Sequence, residues 1–525
     1  MEGNQAPEFT ETAHLTTETE TSPPAPPAPL SIKFLLAITP LILASFYVSF
    51  LGPTVFVWDF KSSLLLRSSS SIVQGGGGVR VAPPPSASVD FVSPVKKDVS
   101  ANVSTVTSSP SAAIESREKA SVEINEAIAL RRYTKLERLE LGLQMARTAI
   151  RDAKRGNQTD LTEDKDYVPT GPMYWHHKAF HRSYLEMEKQ LRIYIYDEGE
   201  PPLFHTGPCQ GILATEGYFI NQLEMDTRFV TRDPEKAQLF FLSFSVTYMA
   251  RYVYVRDNHH WRAMKHTIRD YVRVISDKYP YWNRSLGADH FMLACHDWGP
   301  KLSLWVPNLY NNSIRALCNA NTSERFIPSK DVSIPEINLP SGDLKGLVGG
   351  PPPSEREILA FFAGGGDHGP IRPILLKHWE NKDKDMEVHQ YLPKGVDYYQ
   401  MMRRAKFCLC PSGYEVASPR VGEALHTGCV PVLLSSAYTA PFSDVLNWNA
   451  FSVTVPVEDI PNLKNILTSI STKRYLTLQR RGVQIRRHFV VNFPPKRYDM
   501  YHMILHSIWL RRLNVRINEE DHQAE

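Results

Sequence analysis

The sequence predicts an α/β protein of two Rossmann-like, doubly wound domains facing a cleft, carried behind a transmembrane helix and a stem. Three observations predict it: one uncharged apolar run near the N-terminus, a Ser-, Gly- and Pro-rich stretch after it, and short β-rich runs alternating with helical ones beyond residue 190. Length agrees, since 525 residues at roughly 150 per domain suggest two or three domains plus unstructured segments.

Residues 1–33 hold TSPPAPPAPL and few large apolar groups. Such a composition cannot bury enough surface to offset ordering entropy, so this is expected to be a cytosolic tail. From Phe34 to Trp58 the chain runs 25 residues without a charge, enough for one helix to cross a hydrocarbon core of ~30 Å. A cleavable signal peptide would begin nearer the start and be shorter, so the run reads as a signal anchor. Charge does not orient it, because Lys33 precedes it while Lys61, Arg67 and Arg80 follow. The N-x-[ST] sequons at Asn102, Asn157, Asn283, Asn311 and Asn321 all come after the anchor, as glycosylation of a lumenal C-terminal part requires.

Residues 59–183 read as the stem. Its first half, with SSSSIVQGGGG and APPPSAS, is a flexible spacer. Its second half places Ile124, Ala127, Leu130, Leu136, Leu139, Leu143, Ala146 and Ile150 at mixed three and four spacing. That is an amphipathic helix of about 35 residues, expected to pack on the body or on a second chain, homo- or hetero-oligomeric.

Beyond it, LRIYIYD, AQLFFLSF, HFMLACH, ILAFFAG, KFCLCPS, CVPVLLS and FSVTVPV have the apolar, β-branched character of strands buried on both faces of a parallel sheet. Helical stretches separate them. The Pro-rich VGGPPPSERE near 348–357 divides residues 184–350 from 351–515, leaving a short tail at 516–525. The net charge of +3 without a basic run gives no footprint for nucleic acid. None of the six cysteines forms a CxxC pair, so structural thiols or disulfides are expected in place of zinc or redox chemistry.

The chemistry concentrates in AKFCLCPSGYEVASPRVGEALHTGCVPVLL, residues 405–434. A buried strand ends in Pro411-Ser412-Gly413, a loop carries Glu415 and Ser418, and a helix opens with Arg420 and Glu423. Strand, loop and helix N-terminus in that order suit a diphosphate: free N–H groups and the positive helix end attract the anion, and Arg420 pairs with its oxygens. Glu423 is placed to accept the hydroxyls of a ribose. The bland alternative is an ordinary Arg–Glu pair three residues apart on a helix. Arg372, after the glycine turn of FFAGGGDHGPIR, is the second cation expected at the phosphates.

The chain resembles the exostosin-type glycosyltransferases, glycosyltransferase family 47, particularly their plant branch. The resemblance runs from RIYIYDEGEPPLFH through DPEKAQLFFLSF, GADHFMLACHDWGP, REILAFFAGG and YYQMMRRAKFCLCPSGYEVASPRVGEAL to PFSDVLNW. It implies a GT-B fold and an inverting, metal-independent transfer from a nucleoside-diphosphate sugar, UDP-linked, to a cell-wall polysaccharide or glycan. The sugar nucleotide is then a co-substrate, and no cofactor is implied. It also implies a type II anchor in the Golgi membrane, with the donor on the C-terminal half and the acceptor on the N-terminal half.

The DxD pairs Asp164/Asp166 and Asp383/Asp385 lie in charged stretches and read as solvated faces. An inverting transfer needs a base. His296 and Asp297, just past the strand in HFMLACHDW, sit where α/β sites gather, whereas Asp289 and His290 precede the strand. Cys295 has no partners at ligand spacing and is expected to pair with Cys318. The E-x7-E spacing of Glu415 and Glu423 also fits retaining enzymes, and a non-catalytic Golgi scaffold subunit is the competing class.

Overall fold

The computed structural model describes residues 133–156, 166–255 and 260–518. The tail, the anchor from Phe34 to Trp58, the spacer and the sequons at Asn102 and Asn157 lie outside the described residues. No helix among the described residues is long and apolar enough to cross a membrane.

The described chain builds two five-stranded parallel sheets. The first joins β1 (Ile193–Ile195), β2 (Leu239–Phe241), β3 (His290–Ala294), β4 (Ile314–Leu317) and β5 (Val332–Ser333) in chain order. Alternate residues face opposite sides of a strand. Ile193, Phe241 and Leu293 therefore bury one face against the helix Ala214–Glu224, while Phe240, Met292 and Ala294 bury the other against the helix Arg262–Lys278. Both faces are covered as expected, and the winding reverses at β1: the segment around Val230, which follows the helix Ala214–Glu224, bridges one edge of β1 in parallel, while β2 pairs with the other edge.

The second sheet joins β6 (Ile358–Ala363), β7 (Met386–His389), β8 (Ala405–Pro411), β9 (Val430–Leu434) and β10 (Val453–Thr454) in the order β7-β6-β8-β9-β10. Here the winding reverses between β6 and β8. That reversal opens a crevice outside the carboxyl ends of those two strands, the usual ligand position in open α/β sheets.

Packing does not follow the expected boundaries. The helix Met500–Arg512 is buried on nearly every side, as a helix apolar all round must be. It nevertheless lies on the first sheet, where Arg512 Nε donates to the Gln238 carbonyl at 2.7 Å and Arg511 Nε to the Asp331 carbonyl at 3.0 Å. The helix Lys135–Arg155, part of the expected stem helix, packs on the body, one of the two placements expected for it. It opens with a Thr134/Glu137 capping box, buries Leu143 and Ala146 in the same core as Tyr184 of the helix His177–Gln190, and sends Arg147 Nη2 to the Val515 carbonyl at 2.8 Å. One core cluster runs through both halves, from Phe291 and Ile337 to Val421 and Leu446.

Candidate active site at the switch point

The glycine turn after β6 and the Pro-Ser-Gly turn after β8 meet in the crevice. A Cβ on Gly369, whose φ is +84°, would stand 2.1 Å from the Gly413 carbonyl oxygen; only glycines allow that approach. Tyr414 ties the turns further, its hydroxyl donating to the Asp367 carbonyl at 2.9 Å.

Two guanidinium groups converge on this point. Arg420, the first residue of the helix Arg420–Thr427, donates to the Ala363 carbonyl at 2.8 Å and the Ser418 hydroxyl at 3.2 Å. Its guanidinium carbon lies 4.9 Å from the centre of the Phe362 ring. Arg372, in the first turn of the helix Ile371–Trp379, is 8% exposed. Burial and the neighbouring Arg420 charge push its guanidinium down to about 10. The Nε of each arginine is buried without a hydrogen-bond partner, and Arg372 has no hydrogen bond or ion pair among the described residues. A buried cation such as Arg372 with unspent donors is costly unless an anion joins it.

Several expected roles are redistributed. The Ser412 N–H donates to the Leu434 carbonyl at 3.2 Å and the Gly413 N–H to the Glu415 carbonyl at 2.9 Å. One amide is spent on the end of β9 and the other inside the turn, and the anion-binding capacity passes to the arginines. Glu423 does not pair with Arg420. Its carboxylate accepts the Tyr398 hydroxyl at 2.9 Å, the Tyr399 hydroxyl at 3.1 Å and the Asn338 amide at 3.3 Å. Of roughly four lone-pair positions on a carboxylate, one remains for a ribose. Glu415 lies 3.9 Å from His368 Nε2, beside the turns.

The first sheet presents its carboxyl ends to the same crevice. His296 and Asp297 follow β3 and contact each other, Nδ1 to Oδ1 at 2.5 Å. Asn319, after β4, joins the halves: its Nδ2 donates to the Asp297 carbonyl at 3.2 Å, and its Oδ1 accepts the Val416 N–H at 3.4 Å. A cavity of about 480 Å³ opens between Asp297, Trp298 and Lys301 on one side and Tyr414 on the other. The Cys295–Cys318 disulfide staples the ends of β3 and β4. Asp289 and His290 are closed into a buried network with Arg284 and Tyr196.

Sequence reasoning missed Glu336, two residues after Val332–Ser333 and Ile334 on the cleft side of β5. It is 3% exposed, and its Oε2 has no partner. The strand-end rule that selected His296 would have found it, since VSIPE places a carboxyl just beyond a strand. The Cys408–Cys429 disulfide was also missed. Asn283 and Asn311 are exposed, but Asn321 is 6% exposed and caps a short helix, its Oδ1 accepting the Ser323 N–H at 3.0 Å. Burial thus argues against a glycan at Asn321. Asp383 and Asp385 both bind Lys464, at 2.6 and 2.9 Å, ahead of β7 and so at the sheet edge opposite the crevice.

Comparison with known proteins places an exostosin GT47 domain at residues 187–470. A probable glycosyltransferase of Arabidopsis thaliana is 64% identical over 384 residues, 73% of either chain. The probable β-1,4-xylosyltransferase IRX10 of the same plant is 27% identical over 343 residues, 61% of this chain and 82% of that one. Among solved structures, Anabaena Alr3699/HepE in complex with UDP and glucose matches 60% of this chain and 97% of that one at 10% identity, with a TM-score of 0.29.

Proposed function

The chain belongs to the exostosin GT47 family of glycosyltransferases, and from that premise we propose an inverting transfer of a sugar from a UDP-linked donor to a cell-wall polysaccharide. The observation that carries the reading is the pair of Arg372, buried, and Arg420, half-buried, at the switch point, each with a buried Nε that has no partner. A diphosphate seated there would accept from both guanidinium groups, and its charge would grow against them as the sugar departs. In this reading the arginines do the neutralising that a metal does elsewhere, and no metal is needed. Glu423 offers its remaining lone pair to the ribose, held by Tyr398, Tyr399 and Asn338.

The acceptor enters from the first sheet, through the cavity between Asp297 and Tyr414. Two sheets meeting carboxyl end to carboxyl end across a crevice support a GT-B arrangement. The xylosyltransferase name of one relative points to xylan as the first acceptor to try. The apolar run Phe34–Trp58 supports a type II anchor with the catalytic body in the Golgi lumen. A scaffold subunit, by contrast, has no use for two converging arginines that each keep a buried Nε without a partner.

The test is a panel of UDP-sugars offered to detergent-solubilised full-length protein with xylo-oligosaccharides, with and without EDTA. Transfer or slow hydrolysis of one donor, undiminished by EDTA, with the anomeric centre inverted by NMR, is the expected result. Failure of every UDP-sugar to bind would overturn the donor assignment, and loss of activity in EDTA would overturn metal independence.

A further inference from the structure

Glu336 is, among the described residues, a buried carboxyl beside the crevice that the fold does not employ. It is 3% exposed, its Oε2 is buried without a partner, and no hydrogen bond to either oxygen is found among the described residues. A buried acceptor left without a hydrogen bond is destabilising, which points to a use outside the fold.

The backbone holds Glu336 firmly. Thr215 Oγ1 donates to the Pro335 carbonyl at 2.9 Å and accepts the Ile337 N–H at 3.2 Å, while Asn338 Nδ2 reaches Tyr399 and Glu423 at 3.3 Å. The segment also lies flush on the arginine-bearing helix, since a Cβ on Gly422 would come within 2.7 Å of Ile337 Cδ1 and 3.8 Å of the Glu336 carbonyl oxygen. The charged and titratable groups facing Glu336 are Arg372 on one helix, Arg420 and Glu423 on another, Glu415 in the loop between β8 and that helix, and Tyr438 after β9.

An in-line displacement needs the acceptor to attack the anomeric carbon from the side opposite the departing diphosphate. With the diphosphate on Arg372 and Arg420 in the second half, the base must come from the first half. Glu336 and His296 are the candidates there. His296, held through Nδ1 by Asp297 at 2.5 Å, has only its Nε2 left for an acceptor, whereas neither oxygen of Glu336 has a hydrogen bond among the described residues and Oε2 is buried without a partner.

Resting on the donor assignment above, we propose that Glu336 is the general base of the transfer. Its carboxylate takes the proton of the acceptor hydroxyl as the hydroxyl oxygen forms the bond to the anomeric carbon. The bond from that carbon to the diphosphate oxygen breaks, and its electron pair leaves on the nucleoside diphosphate. Glu336 then returns the proton to solvent. Burial, with Glu415 and Glu423 nearby, holds its carboxyl well above the usual carboxylate range against the opposing pull of Arg420 and Arg372, which suits a group that must accept a proton near neutral pH.

The experiment compares full-length wild type, Glu336→Gln and Glu336→Asp in transfer to xylohexaose, UDP binding and thermal melting. Glu336→Gln keeps the shape but cannot take the proton, so kcat should fall about 10²–10⁴-fold while the UDP Kd stays within about twofold. The acid limb of the kcat profile should vanish with it, and Glu336→Asp should recover part of the rate. Glu336→Gln with kcat within fivefold of wild type, or with an unchanged acid limb, overturns the proposal, as does a loss of UDP binding equal to the loss of rate. Failure of the donor assignment reads differently, because wild type itself would then bind no UDP.

Discussion

Replacing Arg372 by methionine should make the unliganded protein more stable and the donor site weaker. A guanidinium lowered to about 10 by burial and by Arg420 carries a penalty on its charged form on the order of 3 kcal/mol, at about 1.36 kcal/mol for each tenfold change in proton affinity. Methionine fills the space of the side-chain stem and removes that penalty together with the unsatisfied Nε. Partial solvent access at the crevice screens the charge, which brings the expected gain down to about 1–2 kcal/mol. On the ligand side the variant forfeits a charge-assisted contact worth about 1.5–3 kcal/mol, so the Kd for UDP should rise roughly 10- to 150-fold. Isothermal titration with UDP and thermal melting with and without UDP measure both. A structural arginine behaves the opposite way, and a variant that melts lower while binding UDP as tightly as wild type would refute the reasoning.

Arg420→Ala should lower kcat by about 10²–10³-fold, the usual loss of one preorganised charge-stabilising group, and steady-state transfer assays would contradict this if kcat held. Tyr398→Phe should weaken UDP binding and lower the melting point together, because Glu423 Oε2 loses its 2.9 Å donor; a change in neither would show that the tyrosine does not hold the carboxylate. Acid should destabilise the body through His426 and His488, held down to about 4, and His506, held down to about 3, chiefly by burial. Each is neutral when folded, so stability is full above the unfolded value of about 6.5 and falls by about 1.4 kcal/mol per histidine for each pH unit below it, down to the folded values; urea melts at pH 7 and 5.5 test this, and equal stabilities would count against it. Peptide mapping after glycosidase treatment should find Asn283 or Asn311 occupied and Asn321 bare, and a glycan on Asn321 would contradict its burial.

The difference between what the sequence revealed and what it hid follows from the range over which each feature is determined. β8, its turn and the helix carrying Arg420 were legible because strand period, turn residues and helix start are encoded within about twenty neighbouring positions. The same locality found Arg372 after its own glycine turn. The place where the first sheet reverses was not legible: the short segment around Val230 that bridges the outer edge of β1 offers no run of strand residues, and order depends on which face each crossover helix covers. Nor was the use of Glu423, since its partners Tyr398, Tyr399 and Asn338 come from the helix before β8 and from the other half of the chain. A local reading saw Arg420 and Glu423 three residues apart and offered a helix ion pair as the alternative; in three dimensions better partners claim both. The fate of the Ser412 and Gly413 amides has the same cause, for the Leu434 carbonyl that takes one of them lies at the end of β9. Glu336 combines the two cases. Its position beyond a strand end was local and readable, but its significance lies in what it lacks, and a missing partner becomes visible only when every neighbour from both halves is in place.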